Sequence, residues 1–126
     1  MRVHHLAFRT RRLAELEAFY VELLELKVLR REQGRSVWLA AGEIVMMLEL
    51  AGEDEPAPSR GSLELVAFGV SQSNQARLER ALALRQIPIE GRTSFTVYFR
   101  DPDGRRVGAS SYEFVAGADD EALSLR

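Results

Sequence analysis

His5-Leu6-Ala7-Phe8, followed by a helix-like run to Phe19-Tyr20, is echoed half a chain later by Leu65-Val66-Ala67-Phe68 and a second helix-like run. Such repetition marks a duplicated unit, each copy too small to bury its own apolar face. The copies differ at one chemically important place. The first offers an imidazole, His5, where the second offers only the alkyl side chain of Leu65.

Outward from these segments, Val3 to Arg9 alternates as a strand, with Leu6 and Phe8 on one side and His5, Ala7 and Arg9 on the other. Thr10 is placed to cap the next helix, whose buried stripe is Leu13, Leu16, Phe19, Tyr20 and Leu23. Strands follow at Lys27–Glu32, Ser36–Ala40 and Ile44–Leu50, with Gln33-Gly34 and Ala41-Gly42 as turns. Residues 51–62 hold Gly, Pro, Ser and acidic side chains without periodicity and read as a linker. The second unit repeats the order: a strand at Leu63–Val70, a helix over Ser73–Arg85 with Leu78, Ala81 and Leu82 inward, a weaker strand at Pro88–Glu90, and a hairpin of Ser94–Arg100 and Arg105–Tyr112. Asp101-Pro102-Asp103-Gly104 has the composition of a type I turn. Residues 114–126 read as a polar tail, with Ala122-Leu123-Ser124-Leu125 able to dock. The expectation is an α+β domain over residues 1–113: module one 1–50, the linker, and module two 63–113. The two paired βαβββ modules would form a concave cavity, where a ligand is enclosed.

Turn chemistry sets the register of both hairpins. A type I turn with a glycine bulge puts Tyr98 opposite Gly108 and Phe99 opposite Val107. Phe95, Val97, Phe99, Val107 and Ala109 then face the helix, as do Val37, Leu39, Ile44, Met46 and Leu48 in module one. The cavity side receives His5, Ala7, Arg9, Trp38, Met47 and Glu49 from one half. The other half supplies Leu65, Ala67, Tyr98, Arg100, Ser110 and Tyr112. That lining suits an aromatic or apolar organic molecule, with Trp38 and Tyr98 as stacking surfaces and Arg9 or Arg100 orienting an anionic group.

Composition narrows the function classes. The 126 residues are 46% hydrophobic and 29% charged, with a net charge of −2. The charge balance gives no footprint for nucleic acid, and no apolar run approaches the ~20 residues that span a bilayer. Arg9, Arg11 and Arg12 interrupt any signal-peptide core. Without cysteine there is no disulfide, thiolate nucleophile or cysteine metal site. The expected location is the cytoplasm. There is no Gly-x-Ser-x-Gly elbow, phosphate loop or His-Glu-x-x-His. Arg11 and Arg12 read as solvated charge.

Three features together resemble the vicinal oxygen chelate superfamily, also called the glyoxalase/bleomycin-resistance/dioxygenase family: the His5 strand with Phe19-Tyr20 one helix later, the doubled strand–helix–three-strand order, and Phe99-Arg100-Asp101-Pro102-Asp103-Gly104 before the last strand. The resemblance covers residues 1–113. It implies a divalent metal on the concave face, polarising vicinal oxygens of a substrate as a Lewis acid. Carried over by position, the first-strand ligand falls on His5 and the last-strand ligand of unit one on Glu49. The matching positions of unit two are Leu65 and Gly108, which cannot coordinate through their side chains. Two ligands fall short of the three of catalytic zinc or the several of octahedral ions. Pairing with a partner's second unit, as in many relatives, gives the same incomplete set. The expectation is a homodimeric small-molecule-binding protein of this type without a metal or other cofactor, with no nucleic-acid or membrane partner. The alternative is a metal-dependent lyase or dioxygenase using His5 and Glu49, so catalysis stays open.

Overall fold

The computed structural model describes residues 1–114. The first module runs β1 (His5–Thr10), α1 (Leu13–Ala18) continued by a π-helical turn (Phe19–Leu23), β2 (Lys27–Glu32), β3 (Ser36–Ala41) and β4 (Ile44–Leu50). The second runs β5 (Leu65–Gly69), α2 (Gln72–Leu84), β6 (Gly91–Arg92), β7 (Thr96–Arg100) and β8 (Arg106–Ser110). Each module is a four-stranded sheet with the same connectivity, ordered β1-β4-β3-β2 and β5-β8-β7-β6. First and last strands of each module pair parallel and the others antiparallel. This is the expected α+β fold of two βαβββ modules.

The two hairpins follow from their turns. Gly104 has φ +87°, and its N–H closes on the Asp101 carbonyl at 2.9 Å. A residue with a Cβ would be strained there. The register that results pairs Tyr98 with Gly108 and Phe99 with Val107, as the turn chemistry requires. In module one, Trp38 pairs with Met47 and Leu39 with Met46 across the Gly42 turn.

One buried core joins the modules. It contains Leu16, Phe19, Tyr20 and Leu23 from the first helical segment, Val37, Leu39, Met46 and Leu48 from the first sheet, Leu78 and Leu82 from α2, and Val97, Phe99, Val107 and Ala109 from the second sheet. Each large aliphatic side chain there contributes about 1.5–3 kcal/mol of apolar burial. Leu6, Phe8 and Phe68 pack against this core half-buried. Phe19 meets Phe99 at 6.0 Å and Tyr20 meets Phe68 at 6.1 Å between ring centroids. The first module's helix therefore lies against the helix-facing side of the second sheet. Glu25 (φ 58°) and Gln86 (φ 58°) end the two helices in the left-handed region, where Leu26 N–H and Ile87 N–H bond back to the carbonyls of Tyr20 and Leu82.

Several boundaries differ from the sequence expectation. Thr10 ends β1 rather than capping α1; Arg12 is the N-cap residue, and the Thr10 hydroxyl accepts its N–H at 2.9 Å. Two extra residues are needed to turn the chain, and the first of them has a task. Arg11, expected to be solvated, donates to the carbonyls of Gly52, Glu53 and Glu55 and ties down the linker. Helix α2 starts at Gln72 because Ser71 is its cap, accepting the N–H of Asn74 at 3.1 Å. The weak strand lies at Gly91–Arg92 instead of Pro88–Glu90. Pro88 has no N–H to give a ladder, and the backbone joins β7 only from Glu90, whose N–H bonds to Tyr98. Phe95 precedes β7 and is 45% exposed rather than in the core. Its ring packs edge-on to Tyr112 at 5.2 Å. Ala122-Leu123-Ser124-Leu125 and the rest of the tail beyond Phe114 lie outside the described residues. Among those described, no helix is long and apolar enough to cross a membrane.

Candidate functional site

Strand pairing turns each concave face into a grid. On the first sheet one row reads Arg30–Trp38–Met47–Ala7, a neighbouring row Glu32–Ser36–Glu49–Arg9, and His5 stands with Val45 and Ala40 on the other side. Trp38 occupies the middle. It is half-buried, with the Arg30 guanidinium 5.2 Å from its ring centroid. Its indole N–H is enclosed without an acceptor among the described residues, an arrangement costing about 1–3 kcal/mol. Arg9, Trp38, Met47 and Glu49 border a cavity of about 550 Å³ together with Glu32, Arg35 and Ser36.

Arg9 is already neutralised. It donates two hydrogen bonds to Glu55 of the linker, at 2.9 and 2.8 Å, and lies 3.7 Å from Glu49. The Glu55 bonds, then the charges of Glu55 and Glu49, raise the Arg9 pKa. Hydrogen bonding from Arg9 pushes the Glu55 carboxyl down to about 2, with help from the Gly52 N–H and the charges of Arg9 and Arg11. Arg9 is thus not free to orient a ligand anion.

On the second sheet the rows are Leu65–Arg106–Arg100 and Ala67–Gly108–Tyr98–Gly91, with Gly69–Ser110–Thr96 beyond. Tyr98 holds the place that Trp38 holds in module one, at the centre of the face. Arg106 stacks on it, 4.2 Å from the ring centroid. Arg100 and Arg106 both donate to Glu90 at 2.8 Å, and these bonds, that from Arg100 first, hold its pKa down. Arg100 also donates to the carbonyls of Ser62 and Gly104. Ser110 accepts from the Thr96 hydroxyl at 2.8 Å. Tyr112 falls past the end of β8, beside Phe95 and Phe114. Sequence alternation overlooked Arg106, which lies one step before Gly108 on the same face.

Within one chain the two sets stay apart. The cavity bordered by Trp38 and Glu49 includes neither Tyr98 nor Ser110. Each concave face lies on the side of its sheet away from the shared core.

The donors do not fit a divalent ion. Opposite His5 stands Val45, and Glu49 pairs with Arg9, four residues further along, about 13 Å at roughly 3.3 Å per residue. The Met47 row lies between them. Register also changes the correspondence between modules: Gly108 pairs with Ala67 as Met47 pairs with Ala7. The counterpart of Gly108 is therefore Met47, and Glu49 matches Ser110. Position by position the set becomes His5, Met47, Leu65 and Gly108, a single good donor and a thioether. A Cβ built on Gly108 would sit 3.1 Å from Ala67 Cβ and 3.2 Å from Leu65 Cδ1, so Leu65 already occupies that space. His5 itself contacts His4, Nδ1 to Nδ1 at 3.0 Å. No three His, Cys, Asp or Glu residues among those described are grouped to hold a metal.

The chain belongs to the Glyoxalase/Bleomycin resistance protein/Dioxygenase superfamily, whose family model matches residues 2–108. Solved structures agree on the fold. Fosfomycin resistance protein FosX from Mesorhizobium loti superimposes with a TM-score of 0.71 at 15% identity, over 98% of this chain and 97% of that one. FosX from Listeria monocytogenes gives 0.72 at 11%, over 99% and 98%. Lactoylglutathione lyase from Agrobacterium tumefaciens gives 0.63 at 21%, over 86% and 92%. At such identities the likeness is one of fold, and activity must be argued from the site. No curated protein matches the sequence significantly.

Proposed function

We propose that the protein binds a small aromatic or otherwise apolar organic molecule, without a metal, in a cavity completed by a second copy of the chain. The observation that carries this reading is Trp38: a half-buried indole at the centre of a concave face, beside Met47. A planar ligand covers apolar area there. Tyr98 of the second copy faces Trp38 across the cavity, since the two residues hold equivalent places on their sheets. The donor set argues against the lyase or dioxygenase alternative, because His5 has no neighbouring carboxylate or histidine on β4.

Trp38 is the single tryptophan, so its fluorescence reports on the site alone. Saturable quenching by aromatic compounds in chelator-stripped protein is the expected result. Quenching that appears only after Zn, Ni, Mn or Fe is restored contradicts the proposal.

A further inference from the structure

The Trp38 cavity is bordered by the charged side chains of Arg9, Glu32, Arg35 and Glu49. Arg9 is spent on Glu55 through two hydrogen bonds, and Glu32 lies 3.4 Å from Arg30. Arg35 is exposed at the turn between β2 and β3, where water and salt screen its charge. Glu49 is less well matched. Among the described residues it accepts no hydrogen bond, and its ion pair with Arg9 is long, 3.7 Å, on a guanidinium that Glu55 already holds. Ser36 pairs with Glu49 across β3 and β4, so the two side chains stand on one face and border one cavity. The Ser36 hydroxyl also has no partner among the described residues, although the residue is only 7% exposed. Trp38 follows two residues along β3, on the same face. An apolar wall thus meets two uncommitted acceptors, the arrangement of a site that fixes one polar group of an organic ligand.

We propose that Glu49, with the Ser36 hydroxyl, receives the ammonium group of an aromatic amine whose ring lies against Trp38. The proposal rests on the small-molecule reading above and names its ligand class. Closing the cavity with a second copy takes water from a carboxylate that has no hydrogen-bond donor of its own, a costly state that ammonium N–H groups relieve. The indole adds cation–π attraction, which the Arg30 guanidinium already uses at 5.2 Å from the ring centroid. On the Tyr98 face, Arg100 and Arg106 are both bound to Glu90.

The test compares three probes by calorimetry at neutral pH and low salt: protonated 1-naphthylmethylamine, its neutral near-isostere 1-naphthalenemethanol, and anionic 1-naphthylacetate. The wild-type chain should prefer the amine to the alcohol about tenfold. Glu49→Gln should bring the two within about twofold by lowering amine affinity alone; a preference that survives it overturns the assignment. Glu43→Gln, exposed at the turn after β3, should leave the preference intact; its loss there would mark a general charge effect and overturn the assignment too. If Glu49→Gln does not fold, Glu49→Asp decides, since it keeps the charge and withdraws the carboxylate: a reduced preference supports the assignment and an unchanged one overturns it. Equal wild-type binding of amine and alcohol, or tighter binding of 1-naphthylacetate, removes Glu49 from ligand recognition and leaves the small-molecule reading standing. Binding of none of the probes, with no Trp38 quenching by other aromatics, defeats both.

Discussion

A carboxylate with no solvent contact needs its lone pairs filled, and Asp101 fills them from both modules. Its Oδ1 accepts the N–H groups of Asp103 and Arg105 at 2.9 and 3.0 Å, which shapes the turn. Its Oδ2 accepts the Tyr20 hydroxyl at 2.9 Å and faces Arg105 Nη1 at 3.3 Å, which fixes that turn to the first module. Burial, then the charge and hydrogen bond of Asp101, raises the Tyr20 pKa far above its ordinary value, so the phenol stays a donor. Tyr20→Phe should leave Oδ2 short of a donor and lower stability by about 1–3 kcal/mol in denaturant unfolding. A loss below a few tenths would mean the bond does not join the modules. At Trp38 the expectation concerns binding instead. Trp38→Ala should weaken an aromatic ligand about tenfold or more in calorimetry, whereas His5→Ala should cost no more than one hydrogen bond, about 1 kcal/mol. A reversed order would move the site to His5.

The linker is held as a strap by Arg9 and Arg11, and its state should be readable by titration. The Glu55 carboxyl has a folded pKa of about 2, below its unfolded value of about 4.3. The stability it contributes is therefore complete above that unfolded value and is lost as pH falls through about 2. Carboxyl ¹³C shifts should show Glu55 titrating near pH 2 in the wild type and near 4 in Arg9→Gln. A wild-type midpoint near 4 would mean that the strap is open. Elements governed by local chemistry were legible from the sequence: the Asp101–Gly104 turn fixed one hairpin and Ala41-Gly42 the other, and apolar alternation assigned their inner faces. The β1–β4 pairing was not, because parallel strands share no turn and their register is set by packing. That is why Glu49 was matched to the position Met47 occupies. Phe95 was misplaced because alternation does not say where a strand starts, and Arg106 was missed by stopping the same alternation one step early.

At the scale of the molecule, duplication explains the architecture and leaves it unfinished. The modules share one core through their helix-facing sides, so both concave faces look outward with Trp38 on one and Tyr98 on the other. β1 and β5 are unpaired sheet edges, and Leu63, Leu65 and Leu50 are exposed near them. In the proposed dimer, a second copy related by a two-fold axis would cover such edges and bring the faces together. Light scattering at micromolar concentration should give the mass of a dimer, and a monomer mass would leave the cavity one-sided. The central claim is that the cavity works without a metal, because His5, Met47, Leu65 and Gly108 do not make a ligand set. The direct measurement is metal content of the protein purified with Zn, Ni, Mn and Fe supplied. The account predicts far less than one ion per chain, unchanged in His5→Ala and Glu49→Ala. Near-stoichiometric metal that either substitution removes would contradict it.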